Sequence, residues 1–227
     1  MYYPNIFICG PSGTGKSTSL RNLDPEKTCI INVEMEPLPF SHASDFTKQI
    51  DVPSLEVFRK AFEKAIDSKD IDIIVIDSFT SLAELMYETV VMAAPKQGDG
   101  ILMAWAQYKD KLHQILKQGK RCKKIVVFIG HEDVIQDDKS RILKTIFVQG
   151  SLKGKVGKEF NIVLWTKVNE YDKLTEDENR YFFITNNDGV HPAKTPDGMI
   201  KDMHIPNDLN EVIKLVKSYY KSGKGKN

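Results

Sequence analysis

A glycine-rich stretch at residues 7–18, FICGPSGTGKST, constrains the fold of this chain more than any other feature. Gly10 is followed by four residues and then by Gly15, Lys16 and Ser17. This is the spacing G-x-x-x-x-G-K-[ST] of a phosphate-binding loop, or P-loop, which joins a buried strand to a helix. The stretch therefore predicts an α/β domain with this loop at one edge of its sheet.

The neighbouring segments provide the context that such a loop needs. Residues 5–9 form a short apolar strand, and residues 16–23 are expected to form the following helix, ended by Asp24-Pro25. Backbone amides and glycines in the loop make a nest for phosphates, so ATP is the expected ligand. The residues expected to contact it are Gly10, Pro11, Ser12, Gly13, Thr14, Gly15, Lys16, Ser17 and Thr18.

Short apolar runs alternate with helical patterns along much of the chain. The runs at residues 28–33, 71–76 and 125–129 are expected to be buried strands. This alternation predicts a mainly parallel sheet covered by helices on both faces. Two later runs, at residues 160–168 and 180–185, break the alternation and predict an antiparallel extension at one edge.

Helices are expected in four further segments, and residues 34–53, which contain three prolines, are expected to be irregular. The segments are residues 54–66, residues 82–91, a helix with Trp105, Tyr108, Leu112, Ile115 and Leu116 on one face, and residues 208–220 with Asn207 as the cap. Residues 132–158 are polar, contain several glycines and become basic toward the end of the segment.

The composition fits one globular domain. The chain has 227 residues, 41% of them hydrophobic and 28% charged, and a net charge of +1. We expect one domain over residues 1–221 and a disordered basic tail at 222–227. No apolar run is long enough to span a membrane and no signal peptide is visible, so a cytoplasmic location is expected, in the host cytoplasm if a phage encodes the chain.

Two carboxylates are candidates for work at the phosphates. Asp77 ends an apolar run, where an aspartate can order the water shell of Mg²⁺; Ser17 and Asp77 are therefore the expected metal ligands. Asp77 is alternatively a helix cap. The next residue is Ser78, so the carboxylate that orients the attacking water must come from elsewhere.

Several segments resemble the RecA-type recombinases. In KTCIINVEMEP the resemblance implies a catalytic glutamate after the second strand, with Glu34 the better match and Glu36 the alternative. IDIIVIDSFTSL is similar to the RecA-type strand that ends in Asp-Ser. IVVFIGH places His131 where these proteins carry a polar sensor of the γ-phosphate. The implied catalytic residues are Glu34, Lys16 and His131.

The combination most resembles phage-encoded AAA-type or RecA-like P-loop ATPases, which include Sak-type single-strand-annealing recombination proteins. It covers residues 5–199 and includes GSLKGKVGKEFNIVLW and RYFFITNNDGVHPAKTPDG. The resemblance implies a RecA-like fold and a Mg²⁺-dependent ATPase that binds single-stranded DNA and assists phage annealing or recombination. A helicase loader or packaging motor acting on a protein partner is the alternative. A small-molecule kinase is less favoured, because the five arginines are widely scattered.

The same resemblance implies a homo-oligomer with nucleotide at subunit interfaces, and phage replication or recombination proteins as possible partners. The neighbouring subunit would donate a basic residue, for which the candidates are Arg180, Lys194 and Lys155. Lysines between glycines can follow a phosphate backbone, so a mobile loop with Lys153, Lys155 and Lys158 is the candidate DNA contact. Residues 93–100 are a second candidate, whereas the basic run 117–124 is interpreted as a solvated turn.

Overall fold

The computed structural model describes residues 3–136, 138, 140–169 and 180–222. The strands are β1 (Asn5–Gly10), β2 (Thr28–Asn32), β3 (Gln49–Asp51), β4 (Ile73–Asp77), β5 (Ile125–Gln136), β6 (Ile142–Ile146), β7 (Ile162–Val168), β8 (Tyr181–Ile184) and β9 (His204–Pro206). The α-helices are α1 (Leu55–Asp67), α2 (Phe79–Met86), α3 (Gly100–Arg121) and α4 (Leu209–Lys221). Residues 223–227, most of the expected tail, lie outside the described residues.

The strands form one sheet in the order β3-β2-β4-β5-β1-β7-β8-β9, with β6 paired to the outer half of β5. Strands β3, β2, β4, β5, β1 and β7 are parallel to one another. Strands β8 and β9 add antiparallel pairs at one edge. The structure confirms the predicted fold class, a mainly parallel RecA-like sheet flanked by helices with an antiparallel edge.

Alternation of side chains along each strand divides the core into two layers. On β1, for example, Phe7 and Cys9 belong to one apolar cluster, which α1, α2 and α3 cover. Ile6 and Ile8 belong to the other cluster, which α4 covers. A strand that is buried on both faces needs apolar residues at every position, which explains the uninterrupted apolar runs.

Four local predictions are wrong. The α-helix expected at residues 16–23 is one 3₁₀ turn, Ser17–Leu20, where the hydroxyl of Ser19 donates to the carbonyl of Lys16 (2.6 Å) and competes with helix formation. The last helix is capped by Asp208, whose side chain accepts from two backbone amides. The helix expected at residues 82–91 begins earlier as α2 and ends in a π-helical turn, Tyr87–Met92. Residues 34–53, expected to be irregular, contain the short strand β3, which pairs with β2.

Among the described residues, no helix is long and apolar enough to cross a membrane.

Candidate active site

The strand order brings three distant segments to one edge of the sheet. Gly10 at the end of β1 pairs with His131 on β5, and Asp77 at the end of β4 pairs with Ile129 on β5. Because these strands are parallel, their carboxyl ends meet at the same edge. The P-loop after β1 therefore lies beside His131 and close to Asp77.

The P-loop is held by contacts that leave its tip open. Thr14 donates through its hydroxyl to the carbonyl of Pro11 (2.8 Å) and lies 2.6 Å from the hydroxyl of Thr166 on β7. A methyl group on Gly10 would lie 2.2 Å from that Thr166 hydroxyl. Pro11, Ser12 and Gly13 at the tip are exposed, so a phosphate can reach their backbone.

Tyr181 on β8 packs against the other end of the loop. Gly15 has a φ of +88°, and a methyl group there would lie 2.6 Å from Cγ of the Tyr181 ring. Both facts require glycine at this position. The guanidinium of Arg180 lies over the same ring, 5.6 Å from its centroid. The structure therefore places Arg180 next to the P-loop of its own chain.

Lys16 is directed into the loop. Its Nζ donates to the carbonyl of Pro11 (2.8 Å) and lies 3.5 Å from Nδ1 of His131. The side chain is buried, and this burial lowers the pKa of Lys16, while the nearby charges of Glu34 and Asp77 raise it. A phosphate entering the loop would offer the ammonium group a charged acceptor in place of the Pro11 carbonyl.

Ser17 and Asp77 are in direct contact. The Ser17 hydroxyl donates to Oδ2 of Asp77 (2.7 Å). Burial raises the pKa of Asp77 to about 6, although the hydrogen bond from Ser17 opposes this change. The cap of α2 is not Asp77 but Ser78, whose side chain accepts from the amide of Ser81. The capping alternative for Asp77 is therefore wrong, and its carboxylate is directed to Ser17.

Glu34 lies on the far side of His131. Its Oε1 is 3.3 Å from Nε2 of His131 and accepts from the Ser81 hydroxyl (3.4 Å). The hydrogen bond from His131 lowers the pKa of Glu34 to about 2, with burial opposing it. Since the Lys16 ammonium can only donate, its contact requires an unprotonated Nδ1 on His131, and Nε2 then donates to Glu34.

Glu36 does not approach this network. The expectation that it shares a side with Glu34 required an extended chain, but Met35 between them has a φ of +55° and turns the backbone. Glu36 is exposed, and its carbonyl accepts from Asn32 (3.0 Å). Only Glu34 of the two candidate glutamates lies next to His131.

Three polar side chains of the site escape sequence reasoning. Thr80 accepts from the backbone amide of His131 (2.8 Å), Ser81 contacts Glu34, and Thr166 contacts Thr14. The first two belong to the SFTS segment directly after Asp77, so the polar start of α2 was a usable signal. Thr166 lies on β7, more than 150 residues from the loop, and no local pattern indicates it.

The remaining candidates lie away from this cluster. The backbone of Lys194 pairs with Val163 (2.8 and 2.9 Å) near the start of β7, toward the opposite edge of the sheet. The segment with Lys153, Lys155 and Lys158 forms two 3₁₀ turns, Gly150–Leu152 and Val156–Glu159. Leu152 and Val156 are buried, which anchors these turns to the core.

Comparison with known proteins agrees with this arrangement. The profile of the family AAA_24, described as AAA domain, matches residues 3–196, which include the P-loop, both carboxylates and His131. A comparison with curated proteins finds no significant match. The chain therefore belongs to the AAA domain family of nucleotide-binding P-loop ATPases.

Proposed function

We propose that the protein is a Mg²⁺-dependent ATPase that binds single-stranded DNA and assists annealing or recombination in a phage. One observation carries the ATPase part of the proposal. Five residues from four segments of the chain meet beside the P-loop, where Lys16, His131 and Glu34 form one hydrogen-bonded group and Ser17 and Asp77 form a second. These are the residue types that phosphoryl transfer requires.

The donor set fits a magnesium ion. The Ser17 hydroxyl and the Asp77 carboxylate are hard oxygen ligands, 2.7 Å apart, and Mg²⁺ prefers such ligands together with phosphate oxygens and water. Within the described residues, no group of three or more His, Cys, Asp and Glu could hold a metal alone. Bound Mg²⁺ would neutralise phosphate charge; Ser17 and Asp77 would hold it.

Glu34 is the proposed acceptor for the attacking water. It is ionised at neutral pH because its pKa is about 2, so it can accept a hydrogen bond from water and orient it. In the reaction the water oxygen forms a bond to the γ-phosphorus while the bond to the β–γ bridging oxygen breaks. The electron pair leaves with ADP, and the proton of the water passes to Glu34. Such a weak base acts mainly by positioning the water.

His131 is the proposed sensor of the γ-phosphate. Its ring lies between Lys16 and Glu34, with one nitrogen facing each. A γ-phosphate held by Lys16 would lie on the Nδ1 side of the ring and compete with Glu34 for the ring proton, which would move from Nε2 to Nδ1. Release of Glu34 would then make its carboxylate available to water only when a triphosphate is bound.

Two facts support single-stranded DNA as the effector. The chain resembles Sak-type annealing proteins, and Lys155 and Lys158 lie on an anchored segment at the surface. Lys194 and Arg180 remain candidates for donation to a neighbouring subunit in a homo-oligomer, since the AAA family is commonly oligomeric. Arg180 already lies beside its own P-loop, so Lys155 and Lys194 are the better candidates for donation.

The test is ATP hydrolysis by the purified protein with and without single-stranded oligonucleotide. Lys16→Ala removes the phosphate ligand, and Lys27→Ala, at an exposed lysine, is the matched control. We expect hydrolysis that requires Lys16 but not Lys27 and that rises with oligonucleotide. If Lys16→Ala hydrolyses ATP at the parent rate, the candidate active site is wrong. If hydrolysis requires Lys16 but does not rise with oligonucleotide, only single-stranded DNA as the effector is wrong.

A protein effector is the second candidate, because an apolar patch is exposed at the start of α3. Leu102 is 69% exposed, Met103 61% and Met92, in the preceding turn, 59%. Adjacent exposed apolar side chains of this size are typical of protein contacts. This candidate predicts ATPase stimulation by a helicase or packaging protein and none by bare DNA.

A further inference from the structure

A cleft of about 240 Å³ lies between α3 and the turns at residues 150–159. Its floor is apolar and its rim is basic. The residues that line it are Phe79, Lys109, Leu112, His113, Leu116, Ser151, Leu152, Lys155, Val156, Lys158 and Glu159. Lysines on both walls therefore face one opening.

Helical spacing extends the basic wall along α3. Lys109, His113, Lys117 and Lys120 follow one another at intervals of four, four and three residues, which places them on one face of the helix. From Lys109 to Lys120 the helix rises roughly 16 Å at ~1.5 Å per residue. The run that contains Lys117 and Lys120 is therefore part of α3 up to Arg121, which corrects its interpretation as a solvated turn.

Glu159, the one carboxylate among the described residues that line the cleft, is already neutralised. It accepts from Lys120 (2.7 Å) and lies 4.0 Å from His113. The hydrogen bond from Lys120 lowers the pKa of Glu159, and Lys117 adds to this effect by its charge. The charge of Lys117 therefore reaches the cleft as well.

Four other lysines, on α3 and in the segment 150–159, are free to bind an anion. Within the part of the chain that the structure describes, Lys109, Lys117, Lys155 and Lys158 form no ion pair. Lys153 differs, because it pairs with Asp133 (2.8 Å) on the β5–β6 hairpin.

We propose that Lys109, Lys117, Lys155 and Lys158, the basic strip, bind the phosphodiester backbone of single-stranded DNA across this cleft. The inference rests on the proposed function and changes its DNA site. Of the three lysines that the sequence offers as DNA contacts, Lys155 and Lys158 are kept and Lys153 is not. Helix α3 supplies the opposite wall of the cleft. Lysines act on phosphates as point charges on flexible stems, which suits binding without sequence preference.

The floor of the cleft is close in the chain to the candidate active site. Phe79, in the floor of the cleft, comes two residues after Asp77. Its ring packs edge-to-face on Phe7 of β1 and Phe128 of β5, with centroids 5.7 Å apart in both pairs. These are the two strands that carry the P-loop and His131, so the floor of the cleft and the ATP site share the same rigid elements.

The experiment measures binding of fluorescein-labelled oligo(dT) by anisotropy at several salt concentrations. The variant is Lys109→Ala/Lys117→Ala, and Lys155→Ala/Lys158→Ala tests the opposite wall. Lys217→Ala/Lys221→Ala on α4, also two exposed helical lysines, is the control with the same change of net charge. Thermal unfolding shows whether each variant is folded; removal of these surface side chains is expected to preserve the fold.

Each lost phosphate contact should reduce the salt slope of log K by about 0.7, so either strip variant should lose about 1.4. Affinity should fall roughly 25-fold at about 0.1 M salt on the same relation. The control should keep the slope of the parent protein. These results would support the strip.

Three results would overturn it. If the parent protein binds oligo(dT) and the α3 variant keeps its slope, the strip is wrong and the proposed function stands. If the parent protein does not bind oligo(dT) but hydrolyses ATP through Lys16, both the strip and the DNA effector are wrong. If poly-L-glutamate binds with the same lysine dependence and oligo(dT) does not compete, the strip is a protein-docking surface.

Discussion

Replacing Glu34 with glutamine separates the proposed water-orienting role from every structural role of this side chain. Glutamine has nearly the same shape and can still accept from the Ser81 hydroxyl and from Nε2 of His131, which lie 3.4 and 3.3 Å away. What it loses is the negative charge and the ability to take a proton. The effect of Glu34→Gln on turnover therefore measures the contribution of this charge and of proton acceptance.

The expected magnitude follows from these contacts. Loss of a positioned proton acceptor typically costs about 10²–10⁴ in rate, so we expect kcat to fall within that range. ATP affinity should be unchanged or tighter, because the substituted carboxylate lies near Lys16 and repels phosphate. Stability should fall by about 1 kcal/mol, since a hydrogen bond to a charged acceptor becomes one to a neutral acceptor.

The assay is steady-state ATP hydrolysis together with nucleotide binding by calorimetry. Glu36→Gln is the matched control, because Glu36 is two residues away, exposed and outside the cluster. A Glu34→Gln protein that turns over at the parent rate would refute the assignment. If Glu36→Gln loses as much turnover as Glu34→Gln, the choice of Glu34 over Glu36, which rests on the turn at Met35, is wrong.

Three further substitutions test the packing around the site and beyond it. Gly15→Ala should abolish nucleotide binding and destabilise the protein by about 1–2 kcal/mol or more. Gly15 has a left-handed backbone conformation, and an added methyl group would clash with the Tyr181 ring. Nucleotide binding at the parent affinity in calorimetry would contradict this. Lys124→Met should lower the free energy of unfolding by about 2–3 kcal/mol in urea unfolding, since the buried Lys124 ammonium donates to two backbone carbonyls. An unchanged free energy of unfolding would mean that water takes over these two hydrogen bonds. Burial raises the pKa of Asp188, but hydrogen bonds from His191 outweigh it and lower that pKa from 3.8 to about 2, so the stabilisation is present above about pH 4 and is lost as pH falls toward 2. The stability difference between the parent and Asp188→Asn should therefore shrink over that interval in acid unfolding, and a difference that persists at pH 2 would show that the hydrogen bonds from His191 are not its cause.

Those parts of the fold that depend on local pattern are predictable. The apolar runs at residues 28–33, 71–76 and 125–129 predict β2, β4 and the first part of β5 to within two residues, because a sheet covered on both faces needs an apolar residue at every position. Continuation of β5 to Gln136 is not predictable in the same way. Beyond His131 the strand leaves the covered sheet and pairs with β6, so it carries polar residues and loses the apolar signal.

The candidate site residues divide in the same way: those in a local motif are predictable, and contacts that depend on strand order are not. The P-loop is one contiguous motif, and its spacing alone indicates a phosphate site. Contact of Glu34 with His131 spans 97 residues and that of Lys16 with His131 spans 115. Both depend on β5 lying between β1 and β4, and strand order leaves no local mark in the sequence. For Glu34 and His131 the resemblance to RecA-type proteins, rather than residue pattern, supplied the candidates.

The basic strip shows why charge is harder to interpret than apolar periodicity. Lys117 lies in a run of lysines that looks like a solvated turn, and Lys153 lies among glycines that look like a phosphate-binding loop. In the structure Lys153 is neutralised by Asp133, whereas Lys117 lies on the helix face that looks across to Glu159. A lysine can recruit a phosphate only if no carboxylate of its own chain reaches it first, and that depends on the tertiary position of every acidic residue nearby. Local density of lysines is therefore a poor guide to which lysines can bind an anion, and the pairing state of each lysine in the fold is the better one.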